Sequence, residues 1–299
     1  MKKLLALALT LALSLSMVAC GGSEPAPAPE AEGEGTQTVS LTKEEGKLLV
    51  AISPDFAPME FVDLSKTGQD QYVGFDISLA KYIAEEMGKE LEIMPMSFDA
   101  CQAAVSTGKV DMSISGFSWT EERAENYNLS DYYHAGDNET EQVTIALKEN
   151  AEKYATLEGY AGAVVGAQSA SLQESLVNEQ LVPAGATLAV YTDINTGVLQ
   201  LKKGDFQVMA VATGNGDAII AANPEVAHTG FVFEIDPKYV DNVILLQKGA
   251  DDLTAEVNAI LAKAEAAGLY ETWYAEAEEL AGIETSADVS YDDEGNVVE

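Results

Sequence analysis

Basic side chains are scarce in this chain. Sixteen Lys and Arg stand against 50 Asp and Glu, leaving a formal charge of −34 over 299 residues. A nucleic-acid partner needs clustered cations to displace counterions, so that class is excluded. Electrostatic attachment to an anionic membrane surface is excluded on the same ground. Cysteine is nearly absent, and Cys20 and Cys101 cannot make a disulfide framework. The only imidazoles are those of His134 and His228, each isolated from other ligand types, so neither a zinc cluster nor any other cofactor is expected. Gly46-Lys47, Gly88-Lys89 and Gly108-Lys109 lack a following Ser or Thr, which removes the phosphate-cradling loop of an ATPase. No short fixed-period repeat occurs, so a solenoid is not expected. What remains is a globular composition, 47% apolar and 22% charged.

Long apolar runs are confined to the N-terminus. Lys2 and Lys3 precede a run from Leu4 to Val18, too short to span a bilayer comfortably and suited to a secretory signal. Cleavage after Ala19 would make Cys20 the first mature residue. Met17-Val18-Ala19-Cys20-Gly21-Gly22 resembles a bacterial lipoprotein signal, with Met17 where Leu, Val or Ile is usual. That resemblance implies acylation of Cys20 and a membrane anchor of lipid alone, on the extracytoplasmic side. Cys101 then has no partner and reads as a structural thiol. Pro25, Pro27 and Pro29 followed by Glu30, Glu32 and Glu34 make residues 20–45 a solvated tether. Residues 282–299 read as an acidic tail.

Between them strands and helices alternate. Lys47–Ile52 predicts a strand, and Asp76 is expected to cap a helix with apolar positions Ile77, Ala80, Ala84 and Met87 and a stop at Gly88. Strands follow at 91–94 and 112–115 around a helix ending at Gly108. The pattern restarts with strands at 142–147, 163–167, 187–191 and 208–211 and helices at 171–178, 193–203 and 217–222. A strand at 242–247 and helices at 253–267 and 270–280 close the body. Such alternation implies parallel sheets covered on both faces, and two series imply two α/β lobes.

The stretch Val110 to Arg123 is the most informative. A buried strand runs out at Ser115-Gly116, at the carboxyl edge of its sheet, where ligands of open α/β sheets collect. Thr120 can cap a following helix, and Arg123, one turn inside it, can aim a planar fork of donors back over the strand end. A guanidinium holds a carboxylate in two-pronged fashion. Taken alone, the stretch leaves open an arginine solvated and paired with Glu122 or Glu125.

This stretch, together with Pro54-Asp55-Phe56-Ala57-Pro58-Met59-Glu60-Phe61, Gly74-Phe75-Asp76-Ile77, Ser130-Asp131-Tyr132-Tyr133, Gly166 to Glu174 and Gly268 to Tyr274, resembles the family 3 extracellular solute-binding proteins. The resemblance runs from about Gly46 to Ala281. It implies a type 2 periplasmic-binding-protein-like fold, α/β and two-lobed, each lobe a mixed, mostly parallel sheet flanked by helices and joined by a two-segment hinge. The implied division is a signal at 1–19, the tether at 20–45, lobe 1 at 46–141 and 242–281, lobe 2 at 142–241, and the tail at 282–299. The implied function is capture of an amino acid or related small carboxylate by a monomer, for delivery to an ABC permease of the cytoplasmic membrane. By the resemblance Arg123 holds the solute carboxylate with help from Ser118, and Gly116 offers a carbonyl to the amine. Ser171 starts a second-lobe helix whose free N–H groups favour an anion. Phe56 and Phe98 match pocket positions, with Trp119 beside them.

Departures from the family pattern bear on amine recognition. Ala212 stands where an aspartate usually pairs with the amine, with Asn215 and Asp217 close by as substitutes. Ser53 replaces an acid of members that recognise basic side chains, and Ala170 replaces a glycine. A neutral or aromatic carboxylate-bearing solute is therefore expected over a cationic one. Rival readings are an extracytoplasmic enzyme on the same scaffold, of dehydratase or cell-wall lytic type, and a sensory lipoprotein. The scarcity of acid–base signatures favours the non-enzymatic reading.

Overall fold

The computed structural model describes residues 41–133, 141–282, 290–291 and 297–298. The expected signal (1–19), the lipidation site Cys20, nearly all of the tether, His134 and most of the tail lie outside the described residues.

Strand β1 (Lys47–Ile52) shows how the sequence builds the first lobe. Leu48, Val50 and Ile52 enter one core cluster and Leu49 and Ala51 another, so the strand is buried on both faces. The short strands β2 (Phe61–Val62) and β3 (Tyr72–Val73) pair antiparallel before helix α1 (Phe75–Glu86). Strand β4 (Glu90–Pro95), helix α2 (Phe98–Ser106) and strand β5 (Met112–Ser113) follow. Helix α3 (Glu121–Asn126) and strand β6 (Tyr127–Leu129) end this half. One face of the sheet packs on α1, the other on α2, where buried Cys101 is a packing residue whose thiol burial pushes up.

The second lobe comprises β7 (Gln142–Leu147), α4 (Lys148–Ala151), β8 (Val164–Gln168), α5 (Leu172–Leu176) and β9 (Thr187–Tyr191). It continues with α6 (Ile194–Lys203), β10 (Val208–Ala212), α7 (Thr213–Ala222) and β11 (Val226–Val232). The chain then returns through β12 (Leu245–Gln247) to helices α8 (Asp251–Ala266) and α9 (Leu269–Ala281), which cover the first lobe. A terminal ladder joins β13 (Ser290–Tyr291) and β14 (Val297–Val298).

Both sheets have the same plan. The orders are β4-β1-β5-β12-β6 and β9-β8-β10-β7-β11. In each, four strands run one way and one is reversed, because β12 and β7 pair antiparallel with both neighbours. The reversed strand is in both cases the one on which the chain arrives from the other lobe. The two crossings touch: Tyr133 and Asn242 exchange backbone hydrogen bonds of 3.0 and 3.2 Å, and Phe233 N–H donates to the Gln142 carbonyl at 2.8 Å. This is the α/β, two-lobed architecture with a two-segment hinge that the resemblance implies. Each lobe has its own core, at about 1.5–3 kcal/mol for every fully buried Leu or Ile.

Two local expectations need correction. Asp76 does not cap α1: Gly74 takes that position, and buried Asp76 turns inward from the first turn to Gly116 and Tyr133. Helix α7 begins at Thr213 rather than 217, because Gly214, Asn215 and Gly216, poor helix formers alone, are fixed by packing. Asn215 Nδ2 donates to the Ala57 carbonyl at 3.0 Å, and Gly216 lies under the His228 ring.

Gly74 shows where side-chain absence is obligatory. Its φ is +119°, and the first amides of α1 donate to Pro58 and Met59 carbonyls at 3.2 and 2.8 Å. A Cβ on Gly74 would sit 2.4 Å from the Met59 carbonyl oxygen. Gly74→Ala is therefore expected to destabilise the protein by at least about 2 kcal/mol, seen as a lower urea midpoint at unchanged slope. An unchanged midpoint contradicts this.

Candidate functional site

Beyond β5 the chain passes Ser115 to Gly116, whose φ of +56° turns the backbone at the sheet edge. The turn presses against Phe56, whose ring would lie 2.9 Å from a Cβ at Gly116. Thr120 caps α3 as its sequence suggests, its Oγ1 accepting the Arg123 amide at 3.2 Å. Arg123 thus starts one turn inside a short helix and reaches back across the strand ends.

Its guanidinium is buried and is held by carbonyls. Nη1 donates to Ser118 O at 2.6 Å and Nη2 to Ala170 O at 3.0 Å, one in each lobe. Cζ lies 5.6 Å from the Phe98 centroid and 5.2 Å from that of Phe117, rings that stack 4.7 Å apart. Among the described residues it forms no ion pair, with Glu122 and Glu125 or otherwise. Burial pushes its pKa down to about 10, which leaves it charged at neutral pH.

The second lobe answers with the loop between β8 and α5. Ser171 is the N-cap of α5, accepting from Glu174 N at 3.1 Å and donating to Gln168 O at 2.7 Å. Ala170 beside it has a φ of +59°, a left-handed conformation costing an alanine about 1–2 kcal/mol. In that conformation its carbonyl accepts from Arg123 and also from Gln102 Nε2 at 3.2 Å, while its N–H donates to Glu174 Oε2 at 2.7 Å.

Between these groups lies a cavity of ≈ 30 Å³. It is lined by Phe56, Phe98, Gly116, Ser118 and Arg123 from the first lobe and Ser171 from the second, all expected from the sequence. A wider cleft of ≈ 410 Å³ opens outward from Arg123 between α2, α3 and α5. A small-molecule site usually has roughly 300 Å³ or more, so the inner cavity is too small for one in this conformation.

Three expected residues are elsewhere. Trp119 stacks on Tyr239 at 6.3 Å with Lys238 Nζ 5.1 Å over its ring, facing the return crossing. The neighbouring Glu121 explains this, since it pairs with Lys238 and accepts from Tyr239 Oη at 2.7 Å. Ser53 is buried behind the cavity, donating to Asp55 Oδ1 at 2.8 Å. Asn215 lines a surface groove of ≈ 530 Å³ instead. Of the substitutes beside Ala212, Asp217 is taken by His228 at 2.7 Å.

Asp55 was hidden among 50 acids and is the one carboxylate lining the inner cavity; Ser115, Gln168, Leu172 and Gln173 also line it. Underneath sit two further buried acids. Ser115 Oγ donates to Glu60 Oε1 at 2.5 Å, while Asp76 accepts from Gly116 N at 2.7 Å and from Tyr133 Oη at 3.0 Å. Burial raises both carboxyls, and the charge on Asp76 raises Glu60 further.

The sequence profile of the bacterial extracellular solute-binding proteins, family 3, matches residues 48–276. The probable histidine-binding protein of Campylobacter jejuni is 28% identical over 214 residues, 69% of this chain and 78% of that protein. The arginine-binding extracellular protein ArtP of Bacillus subtilis is 27% identical over 220 residues, 73% of this chain and 81% of that protein. Among solved structures, the amino acid ABC transporter substrate-binding protein AbpA of Streptococcus pneumoniae, bound to L-arginine, is 31% identical with a TM-score of 0.72. That match covers 80% of this chain and 97% of the other. An ancestral arginine-binding protein bound to glutamine is 30% identical, TM-score 0.69, over 78% and 98% of the two chains.

The buried acids predict a pH dependence. The folded state holds their proton more tightly than the unfolded chain, whose carboxyls titrate near 4.5 and 3.8, while Asp76 in the fold reaches about 7. Their contribution to stability therefore declines as pH rises from that range through about 7. Glu60→Gln removes one of the two raised carboxyls at nearly unchanged size, so it is expected to lose less stability than wild type between about pH 5 and about pH 8 in urea unfolding. Equal losses contradict a raised Glu60 carboxyl.

Proposed function

The chain belongs to the bacterial extracellular solute-binding proteins, family 3, and from that premise we propose that it captures an amino acid or related small carboxylate and hands it to an ABC importer by hinge closure. The observation that carries this reading is Arg123, a buried, charged guanidinium tied only to carbonyls at the junction of two hinged lobes. An incoming carboxylate replaces the Ala170 carbonyl with a charge-assisted, two-pronged partner. Each charged hydrogen bond is worth about 1.5–3 kcal/mol, and about 5.5 kcal/mol moves such an equilibrium from open to closed. Two such bonds with burial of a solute against Phe56 and Phe98 are of adequate size. Ser118, Gly116 and Ser171 serve as neutral contacts.

Family membership fits an extracytoplasmic location. In our reading residues 1–19 are removed, Cys20 is acylated, and the 20–45 tether lets the monomer meet its permease. Lobe 1 then comprises 46–141 and 242–281, lobe 2 comprises 142–241, and 282–299 trails as an acidic tail. The relatives are named as binding proteins, which supports a receptor rather than an enzyme.

Arg123→Ala is expected to weaken solute binding at least about 100-fold in calorimetry, with Arg123→Lys only partly restoring it. Wild-type affinity in a folded Arg123→Ala protein contradicts the reading. Labelling with a fatty acid in the native host is expected to mark wild type and not Cys20→Ala. Equal labelling of the two removes the lipid anchor.

A further inference from the structure

Two unpaired charges of opposite sign line the same inner cavity. Arg123 has no anionic partner, and Asp55 makes no ion pair among the described residues. Asp55 accepts from neutral donors only: Ser53 Oγ at 2.8 Å on Oδ1, and Ile194 N at 2.6 Å and Gln168 Nε2 at 3.4 Å on Oδ2. The Ile194 bond is made across the lobes, to the first amide of α6. Burial pushes the Asp55 carboxyl up, and Asp193 beside it adds repulsion rather than relief. A charge withdrawn from water without a counter-charge is costly, and here buried Arg123 and half-buried Asp55 are each left without one in a shared space. The second lobe brings no charge to this lining: Gln168, Ser171, Leu172 and Gln173 are neutral, and so is Ala212 at the end of β10.

We infer that Asp55 is the residue that reads the cationic group of the solute, so that the cavity selects molecules carrying both a carboxylate and a cation. The inference rests on the receptor reading above. The two charges need a bipolar molecule between them: its anion meets Arg123, and its ammonium or guanidinium takes the free lone pairs of Asp55. Asp55 keeps its bond to Ile194 N while doing so, which places the cation-reading group on one of the contacts that tie the lobes together. The cationic solute that Ser53 and Ala212 argue against in the sequence thus regains an acid, supplied by the first lobe.

The test is calorimetry of the full mature chain against the proteinogenic L-amino acids and L-cystine. The tightest binder is then compared with an analogue lacking the α-ammonium and, for a cationic side chain, with its neutral isostere; for L-arginine these are 5-guanidinopentanoate and L-citrulline. Wild type is expected to prefer the parent over at least one analogue by about 30-fold or more, and Asp55→Asn to shrink that preference below about 3-fold. Which analogue carries the preference tells an α-ammonium from a side-chain cation. Asp55→Asn retaining the preference, or weakening parent and analogues equally, overturns the inference while leaving the receptor reading intact. Wild type binding no amino acid fails the receptor reading, and this inference with it. A crystal structure of wild type with the tightest binder needs no variant: a cationic nitrogen within about 3.2 Å of Asp55 is expected, and one paired elsewhere overturns the assignment.

Discussion

A charged guanidinium held out of water and, among the described residues, without an ion-pair partner is the constraint around which this molecule is arranged. Burying a cation is costly unless hydrogen bonds and polarisable surfaces offset the loss of hydration. Arg123 receives both, from the Ser118 and Ala170 carbonyls and from the faces of Phe98 and Phe117. These hydrogen-bond partners are all neutral. One of its carbonyl partners belongs to each lobe, so the proposed exchange of a carbonyl for an anion acts on the hinge.

The rest of the fold supports that arrangement through contiguous contacts. Tyr133 joins the two crossings through Asn242, and its hydroxyl donates to Asp76, which accepts the amide of Gly116 at the cavity wall. The hinge and the cavity floor therefore share one buried network, beside which Glu60 accepts from Ser115. On the far side, the left-handed Ala170 carries strain that its surroundings sustain, through Glu174 on its amide and two side-chain donors on its carbonyl. Strain of this size persists where neighbouring contacts over-determine the backbone. Relief on loop movement would ease the exchange of that carbonyl for a solute oxygen.

Much of this was legible in the sequence, for identifiable reasons. Strongly patterned strands such as Lys47–Ile52 and helices bounded by Asp193 and Gly204 declare themselves through burial and caps. The Thr120 cap placed Arg123 because a three-residue offset is a local rule. The reversed strands β7 and β12 carry no such sign, since direction within a sheet depends on where the chain comes from. Trp119 could not be placed from the sequence, because an aromatic beside a pocket segment reads the same whether it faces the pocket or, as here, Tyr239 and Lys238. Asp55 was masked by composition: one acid among 50 says nothing until the fold shows which are denied a counter-charge.

Solute capture as proposed turns on Arg123 exchanging a protein carbonyl for a solute carboxylate as the lobes close. A high-resolution structure of the solute complex measures this directly. The account predicts both carboxylate oxygens on the Arg123 guanidinium, with the Ala170 carbonyl displaced from Nη2. A solute bound elsewhere in the cleft, with Arg123 still donating to Ala170, would contradict it.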